Sequence, residues 1–77
     1  MKPYSDSAGD SGIAAYEAGR SWIRIRFKHG GTYAYRASAI GAAHVRALKR
    51  LAEAGRGLNT YINTHAKVRD GAAAVME

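Results

Sequence analysis

The residues best placed to do chemistry lie in one short run, Trp22-Ile23-Arg24-Ile25-Arg26-Phe27-Lys28. Trp22, Arg24, Arg26 and Lys28 share one parity, which on an extended strand is one face. Cations two residues apart on a strand stand about 6–7 Å from one another. That is close to the repeat of backbone phosphates along a nucleic-acid strand. An indole on the same face can stack on a base for about 1–3 kcal/mol. The chemistry implied is contact with a polyanion. A solvated sheet face also carries Arg and Lys routinely, so the run draws weight from the charge around it. Between Ala18 and Arg69, eleven Lys or Arg stand against one acid, Glu53, a formal +10 within a 77-residue chain of net charge +6. Such a body attracts polyanions through counterion release. Arg36, Arg56, Lys67 and Arg69 are further candidates for phosphate contact. Arg46, Lys49 and Arg50 sit at helical spacing, where surface charge commonly serves solubility.

Catalytic chemistry has little to work with. The chain has no cysteine, and it contains no Gly-x-Ser-x-Gly segment. With Glu53 as the one acid of the basic body, a carboxylate pair for acid–base work has no second member there. The Gly-Arg-Gly around Arg56 lacks the spacing and lysine of a phosphate-binding loop. His29, His44 and His65 are far apart in the sequence and have no acidic or thiol companions in the body. The expectation is a non-enzyme with no metal and no cofactor. His29 falls in a turn. His44 falls on an apolar helical stripe, where a hydrogen-bonded, partly buried ring is the common outcome. Asn59 stands near a helix start, where asparagine usually satisfies backbone groups.

Three strands and two helices must position these residues. Residues 1–11, rich in Ser, Asp and Gly, read as a flexible arm. Ser11–Gly19 is strand-like, Trp22–Lys28 is the clearest strand, and Thr32–Arg36 is the third. His29-Gly30-Gly31 supplies turn chemistry. Ser38 is the expected N-cap of a helix running to Ala54, with Ile40, His44, Ala47, Leu48 and Leu51 as its buried stripe and Gly55 as its stop. Lys49 and Glu53 can pair at i,i+4. Leu58, Tyr61 and Ile62 mark a short second helix. Residues 12–69 form one domain, and residues 70–77 are expected to fray. The fold class is α+β, a three-stranded antiparallel meander followed by one longer and one short helix, β-β-β-α-α. The expected core is Ile23, Ile25, Phe27, Tyr33, Tyr35, Leu48, Leu51, Leu58 and Ile62.

The direction of Tyr33 and Tyr35 depends on turn length. A two-residue loop pairs them with Arg24 and Arg26, or with Arg26 and Lys28, on the basic face, where cation–π contacts add about 0.5–1 kcal/mol. The result is an aromatic and basic sheet of the sort that binds single strands. A three-residue loop, His29-Gly30-Gly31, sets Phe27 opposite Tyr33 and Ile25 opposite Tyr35, with Gly31 in the left-handed position. The area two aromatics add to an alanine-rich core favours the second arrangement.

The ordered set of these features resembles the KTSC domain family, a small module found free-standing in bacteria and at the C-terminus of some lysyl-tRNA synthetases. Its central Tyr-x-Tyr is matched by Tyr33 and Tyr35. Its aromatic before a glycine turn is matched by Phe27, Gly30 and Gly31. Its late glycine, hydrophobe, asparagine and isoleucine cluster is matched by Gly55, Leu58, Asn59 and Ile62. The resemblance spans roughly Ser11 to Val68. It departs where the family often has Val-Pro before its helix and this chain has Ala37-Ser38. The resemblance implies the α+β architecture and, through the synthetase association, RNA, but no settled activity.

The expected function is therefore a non-catalytic nucleic-acid-binding module, RNA slightly preferred over DNA. The alternative is a protein-interaction module that docks an acidic surface or a nucleoprotein complex, as phage-encoded inhibitors of the anti-CRISPR type do. No apolar run approaches the ~18 residues of a membrane span, and the polar N-terminus lacks the apolar segment of a signal peptide. A cytoplasmic, soluble protein is expected. A small domain without disulfides often self-associates, so a homodimer is expected too.

Overall fold

The structure, a computed structural model, describes residues 1–5 and 12–75. Its strands are β1 (Lys2–Pro3), β2 (Ile13–Ala18), β3 (Trp22–Phe27), β4 (Gly31–Arg36) and β5 (Ala73–Ala74), and its helices are α1 (Ala37–Ile40), α2 (Ala42–Ala54), α3 (Leu58–Thr64) and α4 (Ala66–Asp70). The strands form one sheet in the order β1-β2-β3-β4-β5, every pair antiparallel. The α+β class is as expected. The count is corrected from three strands and two helices to five and four among the described residues.

Two of the extra elements come from segments expected to be an arm and a tail. Lys2 and Pro3 pair with Tyr16 and Ala15. The chain stays there because Tyr4 is 6% exposed and belongs to the core. Its backbone N–H donates to the Ala14 carbonyl at 3.1 Å, and its hydroxyl accepts from the Leu58 N–H at 3.4 Å. At the opposite edge, Ala73 and Ala74 pair with Ala34 and Tyr33, and the Val75 N–H donates to the Thr32 carbonyl at 2.9 Å. Residues 6–11 of the expected arm, and residues 76–77 of the expected tail, lie outside the described residues. Both sheet edges are thus two-residue strands, one of them carrying Lys2 and Pro3, a composition that blunts edge-to-edge pairing.

The other two extra elements come from breaks in helical segments. Gly41, at φ 92° and ψ 147°, separates α1 from α2, a conformation that an L side chain resists. The helix begins at Ala37 with Arg36 as its N-cap and no side-chain cap, so Ser38 does not cap it. His65, at φ −122° and ψ 93°, separates α3 from α4. Thr64 assists that break, its hydroxyl donating back to the Thr60 carbonyl at 2.8 Å in competition with the helical ladder. Gly55 ends α2 in the left-handed conformation, as expected.

All four helices cover the same side of the sheet. Ile13, Tyr16, Ile23, Ile25 and Tyr35 from the strands meet Ile40, Val45, Leu48, Leu58 and Val68 from the helices in one cluster. The buried stripe of α2 is Val45, Leu48 and Ala52. It is rotated slightly from the expected His44, Ala47 and Leu51, which are half-buried. Among the expected core residues, Ile23, Ile25, Tyr35, Leu48, Leu58 and Ile62 are buried, while Phe27, Tyr33 and Leu51 pack at the margin of the cluster.

The β3–β4 register decides the tyrosines. Ile23 faces Tyr35, Arg24 faces Ala34, Ile25 faces Tyr33, Arg26 faces Thr32 and Phe27 faces Gly31. Tyr33 and Tyr35 therefore share the isoleucine face. The loop has three residues, but they are Lys28, His29 and Gly30, two steps of register from the His29-Gly30-Gly31 loop. Gly31 takes φ 83° at the end of the turn, so the left-handed glycine is where it was expected.

Candidate nucleic-acid interface and an adjoining groove

The face of the sheet opposite the helices carries Trp22, Arg24 and Arg26 on β3 and Arg36 beside Trp22 on β4. Arg26 and Arg36 are exposed, and Trp22 and Arg24 are half-buried. Lys28 leaves the strand and becomes the first residue of the turn, still exposed. The two buried residues on this face, Thr32 and Ala34, are small, so the long cationic side chains form its relief.

Arg24 is committed to neighbours. Its Nη1 donates to Glu17 Oε1 at 2.9 Å across the β2–β3 pair, and its Cζ lies 4.8 Å from the centre of the Trp22 ring. The contact with Glu17 offsets one charge of the basic face, and the contact with Trp22 occupies part of the indole. Trp22 also lies against Gly19, where an added Cβ would collide with the indole ring. Neither Glu17 nor Gly19 stands out in the sequence. The signal was the antiparallel pairing itself, which puts the last acid before the turn opposite Arg24.

The remaining expected contact residues lie on the helical side. Arg56 is exposed in the turn between α2 and α3, and Lys67 and Arg69 are exposed on α4. Arg69 Nε approaches Asp70 Oδ1 at 3.4 Å in solvent. Lys49 donates to the Arg20 carbonyl at 2.9 Å, which ties α2 to the β2–β3 turn. The expected set is thus divided, with Trp22, Arg24, Arg26 and Arg36 together and Arg56, Lys67 and Arg69 across the thickness of the sheet.

Arg69 helps to line a groove of about 350 Å³ between β4 and α3. Phe27, Tyr33 and Ile62 form its apolar walls, Tyr35 its base, and Asn59 and Asn63 its polar side. Phe27 and Tyr33 are only half-buried because the groove opens at them; their rings meet edge-to-face at 5.9 Å and 72°. Burial of the Tyr35 phenol, with Tyr33 beside it, pushes its pKa up from 10.0 to about 12. Asn59 does not cap its helix: Gly57 is the N-cap of α3, and Asn59 Oδ1 accepts from Asn63 Nδ2 at 3.4 Å. The i,i+4 spacing of Asn59 and Asn63 is visible in the sequence, but nothing there places both amides above Tyr35.

A second cluster sits at the junction of α2, α3 and α4. His44 Nδ1 and the Tyr61 hydroxyl are 2.7 Å apart, the His65 ring stacks on Tyr61 at 3.9 Å, and the His44 and His65 rings are 5.6 Å apart. His44 and His65, distant in the sequence, are therefore neighbours in the fold. Among the described residues, no group of three His, Cys, Asp or Glu side chains converges as a metal site would require, and no helix is long and apolar enough to cross a membrane. No family model matches the chain, and no curated protein and no solved structure matches it either.

Proposed function

We propose that this protein is a non-catalytic module that binds single-stranded nucleic acid, RNA in preference to DNA, through the helix-free face of its sheet. The observation that carries this reading is the placement of Arg26, Arg36, Trp22 and Arg24 on one sheet face while the helices cover the other. Cations there can follow the phosphates of a strand laid across β3 and β4, and the half-exposed indole offers a stacking surface. Arg26 and Arg36 supply the charge, and Arg24, held by Glu17, positions Trp22. The RNA preference rests on the resemblance to KTSC domains, which is part of this proposal. A homodimer in the cytoplasm completes the reading; the blunt sheet edges direct self-association to another surface.

The test is binding of a fluorescent single-stranded RNA and its DNA counterpart across a salt series. Affinity is expected to fall steeply with salt, and each phosphate-contacting arginine removed should lower the logarithmic slope by about 1. Loss of all binding to both strands at about 50 mM salt would overturn the reading. A single stoichiometric protein partner retained after nuclease treatment would then support docking on an acidic or nucleoprotein surface, as an inhibitor of the anti-CRISPR type would do.

A further inference from the structure

The groove beneath the β3–β4 turn differs in kind from the cationic face. Its volume of about 350 Å³ lies at the low end for ligand pockets, which run from about 300 to 1,000 Å³. That suits one nucleotide unit better than a peptide or a lipid chain. Its walls are aromatic and aliphatic, its polar groups stand on one side, and a guanidinium lies at its rim.

We infer that this groove holds a single purine nucleotide, adenine by preference, with the base between Tyr33 and Ile62 and the phosphate on Arg69. The inference rests on the nucleic-acid reading for its class of ligand and adds a site for base selection to it.

Three observations carry it. The first is the amide pair. Asn63 Nδ2 donates to Asn59 Oδ1. With that bond made, the Asn63 amide keeps its Oδ1 acceptor and a second N–H donor, both on one side chain, to meet an outside partner. A paired donor and acceptor from asparagine match the amine and ring nitrogen of adenine, the usual partner of that side chain. The second is the aromatic wall. Phe27 and Tyr33 are half-buried with their rings edge-to-face. Both rings line the groove, and aromatic side chains are platforms on which bases stack. The third is charge. Arg69 is the lining cation, and its Nε approaches Asp70 Oδ1 at 3.4 Å in solvent. Guanidinium forks bind phosphate in a bidentate manner.

The groove opens beside the turn that follows β3. The turn that supplies Gly30 to the groove carries Lys28 on its approach, directly after Arg26 and Phe27. A strand crossing β3 could turn one base around the end of the sheet into the groove. Tyr35 is a neutral phenol at neutral pH, so it sets no negative charge against a phosphate in the groove.

The experiment is a titration of the full chain with adenosine, guanosine, uridine and cytidine 5′-monophosphates, followed by backbone and side-chain amide NMR. In parallel, oligo(A) and oligo(U) binding is measured for the wild type, Asn63→Leu, Asn59→Leu and Arg69→Gln. Asn63 and Arg69 are exposed, so these two variants should keep the wild-type amide spectrum outside the groove. Adenosine monophosphate is expected to shift the Asn59 and Asn63 side-chain amides saturably, about tenfold more tightly than uridine monophosphate. Asn63→Leu and Asn59→Leu should lower oligo(A) affinity to that for oligo(U), removing the preference, while oligo(U) affinity, which does not use the adenine contacts, changes less than about twofold. Mononucleotides that leave the groove amides unmoved, while oligonucleotides bind with no preference altered by Asn63→Leu, would overturn the groove assignment and leave the sheet-face reading standing. Saturable adenosine monophosphate in the groove with no oligonucleotide binding would uphold the groove and overturn the sheet-face reading.

Discussion

Arg24 Nη1 stands 2.9 Å from Glu17 Oε1 across the β2–β3 pair. The charge at the centre of the basic strand is therefore partly offset by a carboxylate. Removing either partner has opposite consequences for a polyanion. Glu17→Gln releases Arg24 and deletes a repelling carboxylate, so RNA affinity should rise about 2- to 5-fold at low salt, the scale of an exposed ion pair. Arg24→Ala should weaken binding less than Arg36→Ala, which should lower the salt slope by about 1. Fluorescence anisotropy across salt measures all three variants. An Arg24→Ala effect as large as that of Arg36→Ala would show that Glu17 does not restrain Arg24.

Gly19 packs on the single tryptophan, and the Cβ of an alanine there would collide with the Trp22 ring. Gly19→Ala should displace the indole, weaken its contact with Arg24 and cost about 1–3 kcal/mol in stability. Chemical denaturation gives the cost, and a red shift of the tryptophan emission reports the displaced ring. An unchanged spectrum would show that the turn relaxes around the methyl group.

Tyr4 links the first strand to the start of α3. Tyr4→Ala empties a buried aromatic site and should cost about 3–5 kcal/mol. Tyr4→Phe loses only the 3.4 Å contact with the Leu58 N–H and should cost about 0.5–1.5 kcal/mol. Thermal unfolding separates the two. Equal, small effects would mean that the N-terminal strand adds little to the fold.

Tyr35 sets an alkaline limit. Its phenol has a pKa of about 12 in the fold, against 10.0 when unburied. The unfolded chain thus releases this proton first. The stabilisation is fully present below pH 10, declines as pH rises from 10 to about 12, and is gone above that. Ultraviolet titration of the five tyrosines should show one that ionises late. Tyr35→Phe should remove that late step and flatten the loss of stability over the same window.

Much of the strand layer was legible because alternation is a local property. Ile23 and Ile25 against Arg24 and Arg26 define two faces of β3 wherever the strand lies. The helices were legible by spacing, but their bounds were not. Gly41 and His65 break them through backbone conformations that depend on what each segment packs against. Lys2–Pro3 and Ala73–Ala74 left no usable signal, since a two-residue strand has no period. Only the burial of Tyr4 and the neighbouring β4 backbone explain why those segments pair.

That the arginine face and the isoleucine face of β3 are opposite follows from alternation alone, because a strand turns each successive side chain over. The strongly cationic body is likewise a matter of composition. Which charges meet a carboxylate and which residues line a cavity follows only from the packed fold. Glu17 reaches Arg24 only through sheet pairing. Asn59, Asn63 and Arg69 meet Tyr33 only because α3 and α4 fold back over β4. Such contacts join residues far apart along the chain, and no local spacing records them.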